Sequence, residues 1–259
     1  MIRLLHLSDT HFGTERPEVM AALVPLAAAL SPTLILWTGD ITQRATDEQF
    51  RRALSFAHAL PQAPLLVMPG NHDLPLFDLF ERALAPYRRF ARTFGSPLEP
   101  SYDAEGVQLT AVDTTRRWRQ QRGAVSRRQI ERVAQRLARA RRDSWRLVAT
   151  HHPLMVDRAA DRADRPWRHQ AALQAWGAAG AEVLLAGHTH VPFAARAEVA
   201  GRPWVVQAGS ALSTRLRHGC PNAINLLAQR SDGHRFSARW DYDDRRGRFV
   251  EGPRVSLVA

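Results

Sequence analysis

The chain has 259 residues, of which 45% are apolar and 24% charged, an ordinary balance for a globular protein. All 36 basic residues are arginine, against 25 acidic ones. The net charge is therefore +11, and chemistries that need lysine, such as the P-loop and the Schiff base, are excluded. The single cysteine, Cys220, permits no internal disulfide, which favours a reducing compartment, and no apolar run reaches the roughly 18 residues of a membrane span.

The N-terminal stretch is too short for a signal peptide and reads as a first strand over residues 3–7, ending at Ser8-Asp9-Thr10-His11. A helix follows from Pro17, a residue suited to a first turn, to about Leu30. Residues 33–37 form a short buried-type strand closed by Thr38-Gly39-Asp40. Thr46 caps a helix to about Leu60, and residues 65–68 give a strand closed by Pro69-Gly70-Asn71-His72-Asp73. Residues 76–94 have helical spacing (Leu76, Phe77, Phe80, Leu84, Tyr87, Phe90) broken at Pro86.

A strand over residues 107–112 ends at Asp113. Ser126 with Gln129 then opens a capped helix bearing Ile130, Val133, Leu137 and Ala138 on one side. Residues 145–149 are a strand ending at Thr150-His151-His152-Pro153, and a polar loop leads to a helix over about 167–178. The strand 182–186 closes with Gly187-His188-Thr189-His190. Beyond about residue 191 the pattern is strands alone: 192–198, 203–208, 223–229, 234–242 and 247–250. The expectation is one α/β domain over residues 1–259, completed by this β-rich part.

Five apolar runs thus end in ligand-type residues: Asp9 with His11, Asp40, Asn71 with His72, His151 with His152, and His188 with His190. In α/β sheets the carboxyl ends of the strands lie together and form the site. Mixed oxygen and imidazole donors without thiolate suit zinc, iron or manganese. Seven candidate ligands among these nine residues exceed the needs of one ion, and an aspartate can bridge two. Two divalent ions with two aspartates and a hydroxide carry a small positive charge, which attracts phosphate. The chemistry so indicated is phosphate-ester hydrolysis by a metal-bound hydroxide.

These motifs, in this order over residues 9–190, resemble the signature of the calcineurin-like metallophosphoesterases. The resemblance implies a four-layer αββα sandwich with two mixed sheets and a dinuclear centre. It implies that Asp9, His11, Asp40 and His190 hold one divalent ion (Mn, Fe or Zn), and that Asp40, Asn71, His151 and His188 hold the other. By the same resemblance His72 binds phosphate and protonates the leaving group. Within the family, the spacing and the Thr150-His151-His152-Pro153 sequence are most similar to bacterial class III cyclic nucleotide phosphodiesterases and their glycerophosphodiesterase relatives. A small phosphodiester is therefore the expected substrate.

His152, Asp73 and Arg158 are read as supporting or substrate-facing residues, and His6 as a core histidine. His58, His169, His218 and His234 carry no positional argument. Residues 116–146 hold twelve arginines against Glu131 and Asp143. That segment reads as a solvated face, or as a surface for an anionic membrane or nucleic acid. The location is expected to be cytoplasmic, with a peripheral position at the inner membrane face as an extension. A lipid pyrophosphate hydrolase, a repair-type nuclease and a non-catalytic scaffold are the alternative functions.

Overall fold

The structure, a computed structural model, describes residues 1–104, 106–119, 121–217 and 219–257; His218 lies outside them. The strands that read as unbroken apolar runs are buried on both faces, because each is covered by the other sheet on one side and by helices on the other. Successive residues point to opposite faces. In β1 (Ile2–Leu7) and β2 (Leu34–Trp37), Leu4, Leu34 and Leu36 meet the other sheet's Leu109, Leu147, Val183 and Leu185 in a central apolar layer. Their neighbours Leu5, Leu7, Ile35 and Trp37 pack outward. The outward partners are Val19 and Leu23 of α1 (Pro17–Leu30) and Phe50 and Phe56 of α2 (Asp47–Ala59).

β1 and β2 run parallel to each other and to β3 (Leu65–Val67). On the far side of β1 lie the antiparallel strands β10 (Ala223–Gln229), β11 (Arg235–Asp243) and β12 (Arg248–Ser256). The second sheet has the order β4-β5-β6-β7-β9-β8. Its centre is parallel: β5 (Val107–Val112), β6 (Trp145–Thr150), β7 (Val183–Ala186) and β9 (Trp204–Gln207). The edges β4 (Ser101–Ala104) and β8 (Phe193–Arg196) are antiparallel. Val148 and Leu184 face outward onto Val133 and Leu137 of α5 (Arg127–Ala138) and Trp176 of α6 (His169–Ala178). The result is the expected αββα arrangement with two mixed sheets. Among the described residues no helix is long and apolar enough to cross a membrane.

The break expected at Pro86 is present: residues 79–94 form two helices, α3 (Leu79–Leu84) and α4 (Arg88–Phe94), because the residue before Pro86 is driven out of helical geometry, Ala85 having φ −147° and ψ 60°. Two local features depart from the sequence reading. β4 is an added edge strand whose exposed polar residues carry no buried-strand pattern. β12 continues past residue 250 to Ser256 through Gly252 and Pro253, which a strand on the edge of its sheet tolerates.

Candidate metal centre

The parallel strands β1, β2, β3, β6 and β7 all deliver their carboxyl ends to one rim, and the polar residues that end them meet there. The backbone at the rim is unusual. Among the described residues, five of the nine non-glycine residues with positive φ are Asp9 (53°), His11 (44°), Asp40 (47°), His188 (75°) and His190 (58°). Such conformations cost about 1–3 kcal/mol each and persist only where the surroundings over-determine them, typically at functional sites. Two glycines make room for the carboxylates. A Cβ on Gly70 would collide with the backbone and carboxylate of Asp40, and one on Gly187 with Ser8 Oγ and the Asp9 carboxylate.

Two groups of ligand atoms result, one of Asp9, His11, Asp40 and His190, the other of Asp40, His151 and His188. Within each group the atoms lie within 4.8 Å of one another. In the first, His190 Nε2 is 3.2 Å from Asp9 Oδ1, and His11 Nε2 is 3.7 Å from Asp40 Oδ2. In the second, His151 Nε2 is 3.3 Å from Asp40 Oδ1 and 3.0 Å from Asn71 Oδ1. Asp40 is common to both.

Hydrogen bonds from behind fix these groups. His151 donates from Nδ1 to the Thr38 carbonyl at 2.7 Å, which leaves Nε2 free to face inward. His190 Nδ1 donates to the Arg215 carbonyl. The backbone N–H of His188 donates to Asp9 Oδ2 at 2.9 Å, and that of His72 to Asp40 Oδ1 at 2.8 Å. Burial opposes ionisation of Asp9, yet His190 and His151 hold it well below the usual carboxylate range. Burial likewise opposes ionisation of Asp40, and His151 and His72 hold it well below. Burial, reinforced by His151, holds His188 down at about 4.

Asp9 Oδ1 nevertheless has no hydrogen-bond partner, although the residue is fully buried. Beside it, His190 turns its Nε2 towards His11 Nε2, 3.1 Å away, while its Nδ1 bonds the Arg215 carbonyl. A buried carboxylate oxygen without a partner is costly. A divalent cation among these atoms removes that penalty, so the donor set fits a metal.

The structure brings Asp9, His11, Asp40, Asn71, His151, His188 and His190 together. His72 stands at the mouth, its ring centroid 4.9 Å from that of His11. Its Nδ1 donates to the Gln43 carbonyl at 3.0 Å, and its Nε2 accepts from Arg215 Nη1 at 3.0 Å. His152 is fully buried behind the site, its ring 4.4 Å from that of His188 and its Nδ1 2.7 Å from Thr114 Oγ1. Asp73 is also fully buried. Its carboxylate accepts from the backbone N–H groups of Ile41, Thr42 and Gly70 and from the Thr42 hydroxyl, which ties the Asp40 loop to the Asn71–Asp73 turn. His6, fully buried, bonds the Thr38 hydroxyl at 2.9 Å.

Arg158 is not among the residues lining the cavity. That cavity, about 510 Å³, is walled by Asp40, Asn71, His72, His188 and His190 and by Gln121, Asp164, Arg215, Leu216 and Arg217. The cationic side chains in the cavity wall are therefore Arg215 and Arg217, from a loop that no motif marked. From the loop after β6 the residue in the wall is an acid, Asp164, and not one of its arginines. It accepts from Gln121 at 2.9 Å, lies 3.3 Å from Arg217 Nη1, and has an oxygen 3.9 Å from His188 Nε2. The one available signal was position: Arg215 and Arg217 precede β10, the partner of β1.

Comparison with known proteins agrees with this geometry. The model of the calcineurin-like phosphoesterase family matches residues 2–192. No curated protein matches the chain in sequence. Among solved structures, a purple acid phosphatase, PPD1, from yellow lupin (Lupinus luteus) superposes with a TM-score of 0.73 at 13% identity over 98% of this chain. The chain spans about half of that protein's length, 53%. A dimetal phosphatase from Danio rerio gives 0.69 at 14% identity, covering 99% of this chain and 98% of that one. Vps29 from Entamoeba histolytica, solved with Zn²⁺, gives 0.53 at 14% identity, covering 99% and 100%. At these identities the likeness is one of fold.

Proposed function

Because the chain belongs to the calcineurin-like phosphoesterase family, we propose that it hydrolyses small phosphodiesters, of the cyclic nucleotide or glycerophosphodiester type, at a dinuclear metal centre. One observation carries the reading: Asp40 is shared by two groups of buried ligand atoms. The fold alone would not suffice, since a Vps29 protein shares it.

Asp9, His11, Asp40 and His190 would hold one divalent ion, and Asp40, Asn71, His151 and His188 the other. The nitrogen and oxygen donors suit Mn²⁺, Fe²⁺ or Zn²⁺. Bound there, the ions would lower the pKa of a coordinated water and offset charge on the phosphoryl oxygens. The protein's own groups do the rest. Arg215 and Arg217 present planar guanidiniums to the phosphoryl group, a geometry suited to paired hydrogen bonds.

Guanidinium has only donors, so in the resting arrangement His72 Nε2 accepts from Arg215 and has no proton to give. Substrate phosphate would draw Arg215 away, and the freed Nε2 would then take up a proton from solvent and pass it to the departing oxygen. A cavity of about 510 Å³ suits a small ester. The whole chain is taken as one functional unit in the cytoplasm, the reading under which a lone Cys220 needs no partner.

The test is hydrolysis of a panel of phosphodiesters, phosphomonoesters and pyrophosphates, with Mn²⁺, Fe²⁺ and Zn²⁺ each added to metal-stripped protein. Metal-dependent turnover of a diester in preference to the other classes is expected. Equal rates on all three classes, or turnover independent of metal, would contradict the proposal.

A further inference from the structure

Eight large apolar side chains stand exposed among the described residues, and six of them gather in one region. They are Phe77 (79% exposed), Leu79 (65%), Phe80 (77%), Leu84 (70%), Trp118 (64%) and Trp167 (47%). Four belong to α3 or the turn before it, and three of them, Phe77, Phe80 and Leu84, belong to the spacing that suggests a buried helix face. Hydrogen bonds join α3 to the 116–119 turn: Arg117 Nη1 donates to the Ala83 carbonyl at 2.7 Å, and Arg82 Nε donates to the Arg117 carbonyl. Trp118 and Trp167 in turn line one groove with Arg119 and Arg168. The surface is continuous.

Its positive charge is placed with the rings. Arg44 lies 5.5 Å from the Phe77 ring centroid and Arg117 5.7 Å from that of Trp118. Arg119 and Arg122 lie 4.3 Å and 5.5 Å from the ring of Trp167. None of these four arginines has a carboxylate partner among the described residues. The acids of α3 are already engaged, Glu81 by Arg88 and Arg89 and Asp78 by Arg89. On α5, by contrast, Arg132 pairs with Glu99 at 2.5 Å and Arg136 with Asp103 at 3.7 Å. Four arginines without a carboxylate partner therefore sit beside the exposed apolar groups, whereas two of those on the helix where the sequence concentrates basic charge are paired.

We propose that this surface docks the protein on an anionic lipid membrane, with the phenylalanines, leucines and tryptophans entering the headgroup layer and the arginines binding lipid phosphates. Charge decides the partner. A second copy would bring an equally basic surface against this one, and like charges repel. A nucleic acid would use the arginines and rings, but Leu79 and Leu84 have no base to stack on and gain only in an apolar layer. Docking would also orient the enzyme. Gln121, in the cavity wall, lies two residues beyond Arg119, and Arg44 follows Gln43, whose carbonyl accepts from His72. The cavity mouth would face the lipid surface.

The test is sedimentation of the full chain with vesicles of phosphatidylglycerol and phosphatidylcholine in equal parts, without substrate, so that its outcome is independent of the catalytic reading. Binding is expected to these vesicles and not to pure phosphatidylcholine. Phe80→Ser with Leu84→Ser should lower it by about tenfold or more, and Trp118→Ser should lower it as well. Neither variant should change Tm or the hydrolysis of a soluble aryl phosphodiester, and Arg132→Glu with Arg136→Glu should leave vesicle binding in place. The proposal is overturned if wild type does not bind the mixed vesicles, or if Phe80→Ser with Leu84→Ser binds them undiminished. It is equally overturned if the patch variants instead abolish a dimer seen by light scattering, or binding to a single-stranded oligonucleotide.

Discussion

His11 and His190 lie 179 residues apart in the chain, and their Nε2 atoms face each other at 3.1 Å. His190 bonds the Arg215 carbonyl from its far nitrogen, Nδ1, and the neighbouring Asp9 Oδ1 has no partner. The fold holds these groups in place at its own cost unless a cation sits among them. Removing metal with a chelator should therefore lower Tm, and Mn²⁺ or Zn²⁺ should restore it. The stabilisation expected is about 2.7 kcal/mol at a free ion concentration near a hundred times Kd. An unchanged Tm on chelation would mean that the cluster is satisfied without an ion.

Asp40 is the residue both halves use. Asp40→Asn keeps the shape but removes the charge, and the side-chain amide presents donors where His151 and His11 approach. Loss of an outer hydrogen-bond partner in a metal site typically costs about 10–100-fold in affinity or activity. A shared ligand should cost more than that in kcat/KM. Steady-state kinetics on an aryl phosphodiester measure it, and near-normal activity would remove Asp40 from the centre.

His72 and Arg215 should divide their effects between leaving groups. His72→Ala is expected to lower kcat by about 10²–10⁴-fold for a diester with an alkoxide leaving group, which needs a proton. A nitrophenolate leaves without one, so the loss there should be small. Arg215→Gln should raise KM for both, since it removes phosphate contacts irrespective of the leaving group. Equal losses from His72→Ala on both substrates would show that the histidine positions rather than protonates.

Acid should unfold the protein through its buried histidines. Burial, opposed only partly by Asp9, lowers His6 from 6.5 to about 3. Burial, then His188, holds His152 well below its usual value. Both stay neutral in the folded state where the unfolded chain takes up protons, so their stabilisation is complete above about pH 6.5 and falls as pH drops towards the folded values. For His6 the loss by about pH 5 is roughly 2 kcal/mol. His6→Gln, which can still bond the Thr38 hydroxyl, should make the fall of Tm with acid less steep. The same slope in both proteins would exclude His6 as a contributor.

Much of the fold is legible in the sequence for a simple reason. Strands covered on both faces, such as Leu34–Trp37 and Val183–Ala186, are unbroken apolar runs, and where each run stops the next polar residue must lie at the rim. The ligand residues Asp9, Asp40, Asn71, His151 and His188 are found by that rule. Arg215, Arg217 and Asp164 are not, since they reach the cavity on irregular loops, and no periodicity marks where a loop side chain points. Asp73 stands in the motif in a supporting place, its carboxylate taken up by four local donors that brace the ligand loops. Phe77, Phe80 and Leu84 have the spacing of a buried face and are exposed, since periodicity alone does not tell which surface an apolar face meets.

The most direct test of the account is the metal content of three purified proteins after loading with Mn²⁺ or Zn²⁺: wild type, His188→Ala and His190→Ala. Wild type should hold two ions per chain. Each variant should hold one, because His190 belongs with Asp9 and His11 whereas His188 belongs with His151, and only Asp40 is common to both groups. Combining the two substitutions should leave neither ion. A single ion in wild type, or an unchanged two in either variant, would contradict a dinuclear centre divided between these two histidines.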